Sequence, residues 1–61
     1  MKVKIFESKV EAYAFKELEN RVNEWFMGNE VELFDIKQSA VYDNTERMSY
    51  LTITIFYRQA E

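Results

Sequence analysis

Lys2 to Phe6 alternate in character, Lys, Val, Lys, Ile, Phe, and that period of two marks a strand with Val3 and Ile5 on one side and Lys2, Lys4 and Phe6 on the other. The period changes at Ser8. Ser8-Lys9-Val10-Glu11 fits the S-x-x-E capping box, in which the Ser8 hydroxyl accepts from the Glu11 amide and the Glu11 carboxylate reaches back to the Ser8 amide. At about 100° per residue, Val10, Ala14, Phe15, Leu18, Val22, Trp25 and Phe26 form one apolar stripe, with Lys16, Glu17, Glu19, Asn20, Asn23 and Glu24 opposite. Gly28, the only glycine, follows the last periodic residue, where helices commonly end in a left-handed conformation. The pattern predicts a helix over 9–27.

From Glu30 to Tyr42 the chain reads as a second strand whose apolar phase slips, with Val31 and Leu33 odd but Phe34, Ile36 and Ala40 even. A slip of that kind predicts a bulge or twist near Leu33. Asp43-Asn44-Thr45-Glu46-Arg47 reads as a polar loop, and Ser49 to Arg58, SYLTITIFYR, as a third strand, antiparallel to the second in a hairpin. The chain is therefore expected to be one α+β domain over 1–61, β-α-β-β, with one helix on one face of a three-stranded sheet. The third strand is β-branched and apolar on both faces, which favours the central position and the order 1-3-2. The order 1-2-3, with the first two strands parallel, stays open.

Parity then assigns the faces. Val3, Ile5, Phe34, Ile36, Leu51, Ile53, Ile55 and Tyr57 are expected beneath Leu18, Val22 and Trp25 of the helix. The opposite face would carry Lys2, Lys4, Phe6, Asp35, Lys37, Ser39, Val41, Tyr50, Thr52, Thr54, Phe56 and Arg58. Three aromatic rings at roughly 150–250 Å² each would match or exceed the largest apolar patch an ordinary monomer leaves in water. Lys4, Phe6, Val41, Tyr50, Phe56 and Arg58 are thus the candidate interface residues.

Size sharpens this expectation. A 61-residue chain buries only about 60% of its unfolded surface, and small domains commonly add disulfides, a metal or a partner subunit. There is no Cys and no His, which leaves the partner subunit. Twofold homodimers are the commonest oligomers, so a dimer through the uncovered face is the first expectation, with a further protein partner as another occupant. The face would hold four bases against one acid, so single-stranded nucleic acid stacked on Phe6, Tyr50 and Phe56 is the alternative occupant. Eleven acids against eight bases, a net charge of −3, argue against that alternative.

Catalysis finds little material. Without His or Cys the usual general base and thiol nucleophile are missing, and one glycine cannot build a phosphate loop. Asp35 between Lys4 and Lys37 reads as a cross-strand ion pair rather than a catalytic acid. The Asp43, Asn44 and Glu46 group lacks the ligand series and central glycine of an EF-hand. The chain is expected not to be an enzyme and to hold neither cofactor nor metal. An apolar run of about 18 residues is lacking, and Glu7, Lys9 and Glu11 interrupt any signal-like opening, so a cytoplasmic chain without a membrane span is expected.

The segments MKVKIF, VNEWF, FDIKQS and the terminal IFYR, in this order, resemble the small sporulation-protein family of Bacillus-type bacteria, about sixty residues long, with relatives in phage and prophage genomes. The resemblance implies a small bacterial or phage cytosolic protein. It transfers no activity and no catalytic residue, and the loop around Asp43 to Arg47 is longer than the family pattern.

Overall fold

The computed structural model describes residues 1–60. Its elements are β1 (Lys2–Lys9), α1 (Ala12–Gly28), β2 (Val31–Asp43) and β3 (Met48–Gln59), in one sheet ordered β1-β3-β2 with both pairings antiparallel. The expected class and strand order therefore hold. Strand β3 takes the centre, carrying apolar or β-branched residues along both faces, and Ile55 in its middle is wholly buried.

Strand β1 differs from expectation in length and, with it, in phase. Continuing to Lys9 extends the alternation, so that one side reads Val3, Ile5, Glu7, Lys9 and the other Lys2, Lys4, Phe6, Ser8. Turning Val3 and Ile5 inward would carry Glu7 and Lys9 under the helix, where unpaired charges are costly to bury. The strand takes the other phase. Lys4 faces Ile55 and Phe6 faces Ile53 on the helix side, Phe6 and Ser8 are buried, and Val3 and Ile5 lie on the uncovered face, 50% and 60% exposed. Lys4 folds its stem so that Nζ sits 5.2 Å from the centre of the Phe6 ring.

The longer strand also removes the capping box. Ser8 stays in the ladder and its hydroxyl donates to the Lys9 carbonyl, while the Val10 amide donates to the carbonyl of Ser49. Glu11 becomes the extended residue before the helix, with no side-chain cap. Two continued sheet contacts outweigh one cap bond here. At the other end Gly28 is the last helical residue and does not take a positive φ; Asn29 closes the helix, its Nδ2 donating to the Trp25 carbonyl at 2.7 Å. That bond satisfies one of the carbonyls a helix end leaves without a partner.

The slip in β2 is a bulge where it was expected, between Leu33 and Asp35. Its extra residue is Phe34. Leu33 faces Tyr57 on the helix side and Asp35 faces Phe56 on the open side, so Phe34 swings out of its expected core position to the open face, half exposed. The hairpin turn closes with the Asp43 Oδ1 accepting the amides of Thr45 and Glu46, and Arg47 adopts φ 54°.

The core is small. Phe6, Leu18 and Ile55 are buried, with Val22, Trp25, Phe26, Leu51, Ile53 and Tyr57 packed around them. Trp25 meets Phe6, Phe26 and Tyr57 edge-on at centroid distances of 6.3, 5.0 and 4.9 Å, the arrangement that ring quadrupoles favour. Ile36 is on the helix side as expected, yet it remains half exposed because α1 lies over β1 and the near side of β3.

The phase of β1 makes a direct prediction. Phe6→Ala should lower the unfolding free energy by about 3–5 kcal/mol, as for other buried Phe to Ala changes, and Val3→Ala by less than about 1 kcal/mol. Urea melts at protein concentrations where the chain is monomeric test the order, and a larger loss at Val3 would reverse the strand.

Candidate interaction surfaces

The uncovered face can be read off the register, row by row across β1, β3 and β2. The rows are Val3, Phe56, Asp35; Ile5, Thr54, Lys37; Glu7, Thr52, Ser39; and Lys9, Tyr50, Val41. Apolar side chains gather at one end, where Met1, Phe34 and Phe56 line a shallow cleft with Asp35 and Lys37, next to Val3 and Ile5. Threonine and serine hold the middle. The far end is acidic, a second cleft bordered by Glu7, Asp43, Glu46, Val41 and Tyr50.

Four of the six expected interface residues lie on this face, in two separated groups. Phe56 and Arg58 are at the apolar end; Tyr50 and Val41 pair at the other, six residues of strand or about 20 Å away. Phe6 and Lys4 are corrections: the phase of β1 puts both on the helix side, Phe6 in the core. Sequence reasoning missed Val3, Ile5 and Phe34, the first two because β1 was read too short and the third because the bulge turns it. Charged Glu7 and Lys9 at odd positions were the signal that decides the strand phase.

Exchanging these residues changes the electrostatics of the face. Lys2 and Lys4 leave it. In register there remain Lys9, Lys37 and Arg58 against Glu7, Glu32, Asp35 and Asp43, so the face is not positive. Arg58 is also engaged, its Nε and Nη2 on Glu32 Oε2 at 2.7 and 2.6 Å and its guanidinium 5.9 Å from the Phe34 ring. That is the one ion pair among the described residues. Asp35 makes no ion pair there; its Oδ1 accepts the Ile36 amide at the bulge. Lys37 Nζ lies 5.8 Å from the centre of the Phe56 ring.

A second apolar surface lies on the helix side, where α1 leaves β2 uncovered. Phe15, Leu18, Val22, Leu51 and Ile53 line a groove between helix and sheet, and Leu33, Ile36 and Tyr42 continue the exposed surface along β2. Glu19 and Asn23 of the helix are the polar side chains that line this groove.

No group of three acidic, His or Cys side chains suited to a metal occurs among the described residues, and no helix there is long and apolar enough to cross a membrane. Comparison with protein-family models, curated proteins and solved structures finds no match to this chain.

The acidic end holds one perturbed group. Tyr50 donates its hydroxyl to a Glu46 carboxylate oxygen; that bond first, then partial desolvation and the negative charges of Glu46, Asp43 and Glu7, push its pKa from 10.0 up to about 12. Below pH 10 both folded and unfolded chains keep the phenolic proton, and between pH 10 and about 12 the unfolded chain loses it first. Stability therefore falls as pH rises through that window. An ultraviolet titration of Glu46→Gln should show the Tyr50 pKa returning toward 10, and an unmoved value would detach the shift from Glu46.

Proposed function

We propose that this chain is a small bacterial or phage accessory protein that acts by self-association and protein binding through its uncovered sheet face, not by catalysis. The bacterial or phage setting rests on the resemblance of its segments to the sporulation family. The binding role rests on surface area. A folded monomer of 7.4 kDa exposes about 4,200 Å², whereas this chain exposes 4,948 Å², an excess of roughly 700 Å². One side of a standard interface buries about 800 Å². The excess is comparable in size to one subunit's share.

The apolar end of the open face, Val3, Ile5, Phe34 and Phe56, supplies the side chains that such an interface buries at its centre. A second copy is the favoured occupant because the same patch can meet itself across a twofold axis with the charged residues left at the rim. The basic and aromatic surface that would suit single-stranded nucleic acid has lost Phe6, Lys2 and Lys4 to the helix side.

Light scattering across a concentration range tests the reading. The parent should exceed the 7.4 kDa of one chain, and Ile5→Lys, at a side chain already 60% exposed, should remain folded and lose the mass that the face contact adds. Phe56→Glu should do the same with some loss of stability, since Phe56 is partly buried within the single chain. A parent that stays monomeric at every concentration, or an Ile5→Lys mass equal to the parent's, would remove this face as the subunit interface.

A further inference from the structure

The two sheet edges are protected unequally. β1 alternates charge along its length with Lys2, Lys4, Glu7 and Lys9, which discourages another strand from adding there. β2 concentrates its protection in its first half, where Glu32, the bulge at Phe34, Asp35 and Lys37 interrupt a flat edge. From Gln38 to Tyr42 the sequence Gln-Ser-Ala-Val-Tyr has no charge, no proline and no bulge, and all five residues are exposed. Lys37 bounds this stretch on one side and Asp43 on the other, both on the open face in register.

We propose that this edge pairs with the same edge of a second copy, antiparallel about a twofold axis at Ala40. Such an axis must pass through a residue that faces its own copy. Only a few registers are available. An axis at Lys37 opposes two ammonium groups, and one at Ser39 sets Asp35 against Asp43, which like charges directly opposite disfavour. An axis at Gln38 draws the Phe34 bulge into the ladder, and one at Val41 moves Lys37 beyond the end of the strand. At Ala40, Lys37 of each copy meets Asp43 of the other, Ser39 meets Val41, and Gln38 meets Tyr42.

The flanking charges are prepared for this register. The two turn amides engage Asp43 through Oδ1 and fix its carboxylate at the strand end. Lys37 lies over Phe56 on the same face and can swing to that carboxylate. The product is a continuous six-stranded sheet, β1-β3-β2-β2-β3-β1, with both helices on one side. Exposed backbone of β2 gains partners without any change in the fold. This edge is a different surface from the apolar end of the open face.

The absence of native cysteine makes cross-linking a clean test. Facing Cα atoms in an antiparallel pair lie about 4.5–5.5 Å apart, inside the range a disulfide spans. Ala40→Cys should form a covalent dimer under mild oxidation. Gln38→Cys and Tyr42→Cys should each form no covalent dimer alone, with like positions about 13 Å apart along the strand, and should cross-link when mixed. Lys37→Glu in the Ala40→Cys background should slow the reaction several-fold. Ile5→Lys in that background should leave it unchanged, because residue 5 is on the far side of β3; loss of the face interface and loss of the edge pairing are thus read separately. Cross-linking of Ala40→Cys no faster than that of Glu24→Cys on the exposed helix face, or equal reaction of all single variants, would overturn the register.

Discussion

The constraint on which this structure depends is that a single short helix cannot shade its sheet. Seventeen helical residues extend about 26 Å, whereas thirteen strand residues extend about 43 Å, close to the 44 Å longest dimension of the molecule. Across the strands the mismatch recurs, since a helix about 10 Å wide covers two strands spaced about 4.8 Å apart but not three. The helix lies on β1 and the adjoining side of β3, and β2 is left with water on both faces. Exposed Leu33, Ile36 and Tyr42 follow from that geometry.

What the helix does cover is organised by Trp25. Its ring touches Phe6 from β1, Tyr57 from β3 and Phe26 from its own helix, so one side chain joins the two strands beneath it. The contact with Phe6 and the phase of β1 support each other: Phe6 inward completes the aromatic cluster, and Val3 and Ile5 outward build the apolar end of the opposite face. Arg21 adds a polar link from helix to strand, its Nη2 donating to the Glu7 carbonyl at 2.9 Å. The same alternation that closes the core thus creates the surface assigned to binding.

The element order, the hairpin, the central position of β3 and the bulge near Leu33 were all legible in the sequence, because each depends on patterns local to one or two strands. Strand phase was less legible. In β1 both parities offer hydrophobic residues, and the choice rests on where the strand stops, which is set by the ladder that Ser49 to Leu51 offer to residues 8–10. The capping box was a local signal overridden by those pairings. Phe34 was unreadable for a related reason: a bulge is visible as a slip in phase, but the side to which its extra residue turns depends on the partner strand. Val41, Tyr50, Phe56 and Arg58 came through because β3 and the second half of β2 keep unbroken alternation.

The two proposed surfaces have a joint geometric consequence. Pairing at the β2 edge uses an axis normal to the sheet, and packing at the open face uses an axis lying between two sheets. Each contact is between like patches, so each closes on itself instead of propagating head to tail. Where the axes meet at a right angle, both contacts coexist in a closed tetramer with helices on its two outer sides. The apolar patch complicates that arrangement, because Val3, Ile5 and Phe56 sit near one end of the sheet and the edge axis crosses near Ala40, toward the other. Full overlap of the apolar ends then requires sheets packed with an offset or a large crossing angle, and a long offset would turn closed pairs into a chain. The acidic cluster of Glu7, Asp43 and Glu46, near the edge axis, opposes direct face-to-face stacking of the tetramer's centre. Charge at that end and apolar area at the other therefore favour dimers over larger assemblies.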